Sequence, residues 1–354
     1  MGKDPTTGAV SPSKYGYFDN PIPEMTRSVE TGFDLSLFSN ALNIEFTYYN
    51  SAMYNSYFLS ADGSGKSNPI NTGRIRNQGV ETTVSYALNF AKDWMWRTSV
   101  NFSYNNNKIE KTYRTKEGAV AKMEQRIAGG KVVVRYDEGG SYGDLYAQDF
   151  KRNEDGSIKQ NAAGRPYLDN NNYVYLGNMN SKFQLGWSNT ITYKNFSFYF
   201  LINGRIGGKV ISLTEAELDN KGVSKRTADA RLAAEANPDL VWNGQPAMYM
   251  PDGNLAPIEA YYKEVGGNAY GSQYVYDATN FRIGEISLGY TFRNLFGTSK
   301  NLSLSAVARN LCFLYKKAPV DPDIALSTAN GLGAFDVFNM PSARSLGISL
   351  KANF

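Results

Sequence analysis

The sequence predicts an all-β fold, an antiparallel transmembrane β-barrel portion of about 11 strands, counted as segments that alternate with period two. Three observations predict it. Apolar and polar residues alternate in strand after strand. The connections switch between short turns and long polar segments. The composition suits strands and turns, with 25 Tyr, 19 Phe and 33 Gly among 354 residues. No stretch reaches the roughly 18 consecutive apolar residues of a membrane helix, so a helical membrane protein is excluded.

The elements follow in order. Val29, Thr31, Phe33, Leu35 and Leu37 form one face of the first strand, and Glu30, Gly32, Asp34 and Ser36 form the other. Ser39-Asn40 turns the chain into Leu42, Ile44, Phe46 and Tyr48, opposed by Asn43, Glu45, Thr47 and Tyr49. Val80, Thr82, Val84, Tyr86 and Leu88 alternate with Glu81, Thr83 and Ser85. Trp94, Trp96, Thr98, Val100, Phe102 and Tyr104 alternate with Arg97, Ser99, Asn101 and Ser103. A hairpin is expected over Lys131–Tyr136 and Tyr142–Tyr146, about the turn Glu138-Gly-Gly-Ser141. Leu185, Trp187, Ile191 and Tyr193 lead through Lys194-Asn195 to Phe196, Phe198, Phe200 and Ile202. Ile286, Leu288, Tyr290 and Phe292 precede Leu302, Leu304 and Ala306, and Leu346, Ile348, Leu350, Ala352 and Phe354 close the pattern.

Short turns fall at 39–40, 89–93, 194–195 and 293–300, and long loops near 60–73, 106–130, 153–182, 208–279 and 316–341. Short turns at one end of a barrel and long loops at the other mark the outer-membrane class. Phe38, Phe90, Trp94, Trp96, Tyr193, Phe196, Phe292, Phe296 and Phe354 gather near the short turns, where an aromatic girdle sits. Short helices are expected within the 208–279 loop. Ser212-Leu-Thr-Glu215 reads as a capping box with Gly222 as the stop, Ser224–Ala236 ends at Asn237-Pro238, and Pro257–Val265 precedes Gly266-Gly267.

Composition also narrows the chemistry. The chain has no His and a formal net charge of +4. Histidine-based catalysis and histidine metal sites are thereby excluded. The single Cys312 excludes an internal disulfide and a cysteine cluster. Balanced charge gives no footprint for nucleic acid. The expectation is a protein that is not an enzyme and needs no metal or cofactor. Asn153-Glu-Asp-Gly-Ser157 and Asp169-Asn-Asn-Asn172 resemble calcium loops loosely but lack the later bidentate acid, so turn chemistry accounts for them. Asp321-Pro-Asp323 reads first as a turn.

Several phrases carry a family resemblance: Pro23-Glu-Met-Thr-Arg-Ser-Val-Glu-Thr-Gly-Phe-Asp-Leu35, Asn77-Gln-Gly-Val-Glu81, Glu138-Gly-Gly-Ser-Tyr-Gly-Asp-Leu-Tyr146, Tyr175-Leu-Gly-Asn178, Asn203-Gly-Arg-Ile-Gly-Gly208, the run Tyr274–Tyr290, Ala308-Arg-Asn-Leu311 and the final Phe354. In this order they resemble the C-terminal barrel half of SusC/RagA-type TonB-linked (TonB-dependent) outer-membrane transporters. The resemblance implies half of a roughly 22-stranded barrel whose lumen is plugged. Residues 1–24 are then an incomplete extracellular loop and 25–354 the C-terminal part of the barrel, with the plug domain absent. It further implies an outer-membrane location and active import of glycan oligosaccharides or peptides. The implied partners are a SusD-like surface lipoprotein, the TonB complex through missing N-terminal regions, the substrate and outer-membrane lipid. A passive porin, or a soluble all-β carbohydrate-binding or interaction protein, are the alternative readings.

Two groups of residues are candidates for contact. The alternation sends Glu45, Tyr49, Glu81, Arg97, Asn101, Glu285 and Arg309 to the lumen, toward water or a plug. In the 208–279 loop, Trp242, Tyr249, Tyr261, Tyr262, Tyr270, Tyr274 and Tyr276 suit a sugar ring, a peptide or a docking partner, or packing among themselves.

Overall fold

The computed structural model describes residues 2–3, 10–11, 22–61, 67–112, 123–127, 130–268, 272–294, 297, 300–323 and 333–353. Nine strands make one antiparallel sheet in chain order: β1 (Met25–Leu37), β2 (Leu42–Ala61), β3 (Ser67–Ala91), β4 (Trp94–Lys111), β5 (Phe183–Tyr193), β6 (Phe196–Ile206), β7 (Asn280–Phe292), β8 (Asn301–Lys316) and β9 (Ser345–Asn353). Each strand pairs with the one before it, so the sheet is an up-and-down meander.

The register converts sequence alternation into two unlike faces. One row runs Leu35, Ile44, Val84, Val100, Trp187, Ile202 across six strands. The row on the opposite face runs Asp34, Glu45, Thr83, Asn101, Gly186, Asn203, Arg282. Among the described residues nothing covers the apolar face: Leu288 is 57% exposed and Leu304 45%, and on the edge strands Phe33 is 53% and Ile348 80% exposed. Val84 and Phe198 are exposed too, and Ile44 is half-buried. These side chains therefore do not meet in a dry protein interior. Polar atoms on this face pair across strands, as an apolar surrounding demands, although Asn189 Nδ2 has no partner among the described residues. Trp96 donates its indole N–H to Asn189 Oδ1 at 3.0 Å, and Trp187 donates to Thr98 Oγ1 at 3.0 Å.

Short turns join one end of the sheet, with Asp93 and Lys194 at positive φ. Rings cluster there: Trp94 lies 4.4 Å from Tyr193 and 5.6 Å from Phe90, and Tyr290 lies 4.7 Å from Phe196 and 4.8 Å from Phe292. Phe296 and Phe354 of the expected girdle lie outside the described residues.

The opposite end carries folded insertions, and here the structure corrects the sequence reading. The 131–146 hairpin forms, with Val132 opposite Ala147 and Arg135 opposite Asp144. It does not join the wall. It belongs to a separate four-stranded sheet of residues 124–127, 132–135, 144–150 and 168–178, so among the described residues the wall has nine strands and the expected 153–182 loop contains a strand. Residues 67–73 and 106–111 are strand rather than loop, because β3 and β4 run past their expected ends. A three-stranded sheet joins 209–212, 275–277 and 335–336, the last in parallel.

The helices start where expected: α1 (Leu213–Asn220), α2 (Lys225–Ala236) and α3 (Ile258–Asn268). Ser212 and Ser224 cap α1 and α2, accepting from Glu215 N and Thr227 N at 3.1 Å each. Gly266-Gly267 does not stop α3. A Cβ on Gly266 would sit 2.3 Å from Ala216 O, so glycine here permits close packing of α3 on α1. These insertions hold the buried cores. Val132, Val134, Leu145, Ile211 and Phe335 share one with Ile109 of β4; Phe150, Ile158, Ala216, Tyr261, Val265 and Tyr274 share another.

Candidate functional site

The polar face of the sheet is hollowed into a trough of about 900 Å³. Its positions follow from the register. Glu45 on β2, Glu81 on β3, Asn101 on β4, Asn203 on β6 and Arg282 on β7 all project from the same side and line it. The β3 wall is thinned at Gly79, where a Cβ would lie 2.5 Å from the Tyr49 hydroxyl. Tyr49 crosses that gap and donates to Asn105 Oδ1 at 3.0 Å. Asn105 and Gln184 add further amides to the lining.

The charges in the trough are unevenly placed. Glu45 and Glu81 stand at one end. Arg205 and Arg282 stand at the other and converge on Asp323, at 3.6 Å and 3.4 Å. Asn280 donates to Asp323 Oδ1 at 3.2 Å and to Ala278 O at 3.1 Å. The expected turn at Asp321-Pro-Asp323 is present, with Asp323 N donating to Asp321 Oδ1 at 3.0 Å. Its second carboxylate is the one that reaches the wall.

Of the sequence-derived lumen residues, the structure brings Glu45, Glu81 and Asn101 together in the trough, with Tyr49 beside them through Asn105. Arg97 lies nearer the short turns, opposite Ala87 and Thr190. Glu285 and Arg309 face the same side but pair with each other at 2.8 Å on adjacent strands. Arg205, Arg282 and Asn280 were not among the sequence-derived contact residues, and Asp323 was read only as part of a turn. Arg205 shares the alternating face of Asn203 and was legible. Arg282 was not: strict alternation from Ile286 puts it on the apolar face. Gly284 is skipped in the pairing on both sides, and this bulge turns Arg282 inward.

The loop tyrosines divide by burial. Tyr261 and Tyr274 are 4% and 1% exposed. Tyr274 donates to Asp219 Oδ2 at 2.8 Å, and Tyr276 donates to Glu215. Arg226 closes the network, 2.9 Å from Asp219 and 3.2 Å from Glu215, with its guanidinium 5.0 Å from the Tyr274 ring centre. Burial, then the adjacent acid, pushes both phenols above the usual range. Burial works against the Arg226 charge, but Asp219 and Glu215 outweigh it and raise its pKa. These tyrosines bind the loop to itself. Tyr249 is 65% exposed and, with Tyr261, Tyr262 and Tyr274, rims a cavity of about 280 Å³. Trp242 packs instead beside Gly164, and Tyr270 lies outside the described residues.

The calcium-like Asn153–Ser157 segment is a turn, its Asp155 carboxylate accepting from Ser157 N at 2.9 Å. Among the described residues no group of three or more Asp, Glu, Cys or His is placed to hold a metal. What the trough offers is polar and ionic contact along a water-facing wall.

No model of a known protein family matches the chain. Individual proteins do. It is 25% identical over 95% of its length to TonB-dependent receptor P3 of Formosa agariphila, of which it covers 35%. It is 22% identical over 72% of its length to TonB-dependent receptor SusC of Bacteroides thetaiotaomicron, covering 24% of that protein. Among solved structures it superposes on the RagAB peptide importer in its open-open state with a TM-score of 0.65, at 15% identity over 93% of this chain and 34% of that one. The closed-closed state gives 0.63 at 14% identity, covering 92% and 35%. The resemblance to SusC/RagA-type TonB-dependent receptors therefore holds over nearly the whole chain, and its fold is that of a portion of their barrels. The names are those of receptors and importers rather than enzymes. The chain spans about a third of receptor P3's length, 35%, and about a quarter of SusC's, 24%.

Proposed function

We propose that this chain is the C-terminal barrel wall of an outer-membrane, TonB-dependent importer of the SusC/RagA type. Residues 25–354 supply wall and extracellular insertions, and residues 1–24 belong to an extracellular loop. The observation that carries the reading is the inverted sheet. Its apolar face is exposed along nine strands, and its polar face lines a trough. A lipid bilayer accounts for the first and a water-filled lumen for the second. A soluble sandwich would bury the apolar face instead.

The full-length protein takes up glycan oligosaccharides or peptides through this lumen, drawing on TonB through regions outside these residues. A SusD-like surface lipoprotein sits over the insertions, where Tyr249, Tyr262 and Trp242 are the remaining aromatic contacts for ligand or partner. Glu45, Tyr49, Glu81 and Asn101 face the lumen contents.

The test is uptake. The full-length protein, tagged and isolated from outer membranes, is expected to bring a surface lipoprotein with it. Uptake of its ligand is expected to stop when TonB is deleted. Normal uptake without TonB overturns active import in favour of a passive pore.

A further inference from the structure

The trough's basic end has a feature that the wall does not need. Two arginines from adjacent strands converge on one carboxylate that arrives from a loop. Wall and loop share in placing them: Arg205 donates to Met179 O at 3.2 Å and, from the nitrogen that faces Asp323, to Pro322 O at 3.5 Å, while the Gly284 bulge aims Arg282. The contacts to Asp323, 3.6 Å and 3.4 Å, are longer than the roughly 2.7–2.9 Å of a charge-assisted hydrogen bond. Arg205 Nε and Arg282 Nε are buried without a hydrogen-bond partner among the described residues, so the terminal nitrogens are what each guanidinium presents to the trough. Both side chains are about a quarter exposed, and both open on the trough.

The charge count points the same way. Among the described residues Asp323 is the one carboxylate in ion-pair contact with the two guanidinium groups, an excess of one positive charge in that contact. The acids at the other end do not cancel it. Glu81 and Arg205 stand on inward rows three strands apart, or about 14 Å at ~4.8 Å per strand. That exceeds the ~8 Å screening length at physiological salt. Around the arginines, Gln184 and Asn203 offer amides to the rest of a polar ligand.

We infer that Arg205 and Arg282 form a carboxylate-recognition pair for the ligand in the trough, and that Asp323 competes with that ligand for the same two guanidinium groups. Planar guanidinium forks match carboxylates in two-point geometry, which ammonium groups do not. The carboxylate comes from a peptide C-terminus or from a uronic-acid sugar. This inference rests on reading the trough as the lumen of an importer, and it narrows what that importer takes.

Binding to the full-length protein, purified in detergent from outer membranes, tests it by calorimetry with matched probes. One pair is a tetrapeptide with a free C-terminus and the same peptide amidated. The other is a tetra-galacturonate and its methyl ester. In at least one pair the free acid is expected to bind about tenfold or more tightly, the scale of one hydrogen bond to a charged group. The pair that responds identifies the source. Asp323→Asn is expected to tighten the acid several-fold and leave its neutral counterpart unchanged, a gain that misfolding cannot produce. Arg205→Gln with Arg282→Gln is expected to remove the preference for the acid while the heat-modifiable folded band persists. Equal affinity within both pairs, no binding of any probe, or an Asp323→Asn protein with unaltered acid affinity overturns the inference. TonB-dependent uptake in the same cells is a separate readout, so a failed carboxylate preference is distinguishable from a failed assignment as an importer.

Discussion

The wall and its insertions are built from one chain on opposite plans. In the insertions, apolar side chains turn inward: Ile211, Phe335, Leu145 and Val132 have no exposed surface. In the wall they turn outward, and Leu288 and Leu304, on strands paired on both sides, are 57% and 45% exposed. The insertions therefore carry the water-type core of a globular domain, stabilised by burial against protein. The wall leaves its apolar area for a surrounding lipid to cover, and its strands hold together mainly through the hydrogen-bonded ladder. Ile109 marks the join. It belongs to β4 yet is fully buried in an insertion core, so the upper wall leans on the folded loops. The difference teaches that hydrophobicity alone says little about location here; which solvent each face meets decides.

The largest expected effect sharpens this contrast from the insertion side. Phe335→Ala removes a fully buried ring from the core shared with Ile211 and Leu145, at a cost of about 3–5 kcal/mol. Hydrogen exchange is expected to speed at 132–135, 144–150 and 209–212, while β5 and β6 keep their protection. Equal loss in both regions would mean that wall and insertions are one cooperative unit. The next effect comes from the wall, where adjacent residues point to different solvents. Val84→Arg places a charge on the apolar face and is expected to cost about 2–4 kcal/mol near the bilayer midplane. Thr83→Arg, one residue away on the trough side, is expected to cost less than about 1 kcal/mol. Denaturant unfolding in lipid vesicles measures both, and equal costs would break the two-solvent account.

How much of this was legible depends on how many surfaces each segment meets. Wall strands meet two solvents, and that shows directly as alternation, from Val29 to Leu37 or from Trp94 to Tyr104. The 131–146 hairpin was legible as a pair but not by its sheet. A sign was present, since Val132-Val-Val134 is an unbroken apolar run, as in strands covered on both faces, and all three residues are fully buried. The tyrosines of the 208–279 loop gave composition without depth. Only the packing of α1 and α3 separates Tyr274, bound to Asp219, from Tyr249 at the surface. Arg282 was hidden by a single extra residue, Gly284, because alternation cannot register a bulge that the pairing alone reveals.

Glycine 266 gives the smallest effect and the one whose sign is most informative. A glycine pair after a helical stretch ordinarily reads as a stop, yet α3 continues through Gly266 and Gly267 to Asn268. In an exposed helix, replacing such a glycine with alanine stabilises by up to about 1 kcal/mol. Gly266 is buried, and an added Cβ would fall 2.3 Å from Ala216 O and 2.7 Å from Asn220 N, both backbone atoms of α1 that cannot step aside alone. Gly266→Ala is therefore expected to destabilise the insertion by about 1–3 kcal/mol, as overpacking does. The readout is faster limited proteolysis between α1 and α2, with the wall still giving its folded band in detergent. A more resistant insertion would mean that α1 and α3 are not in close contact. It would also undo the account of Tyr274 and Asp219, whose buried pairing depends on those two helices meeting.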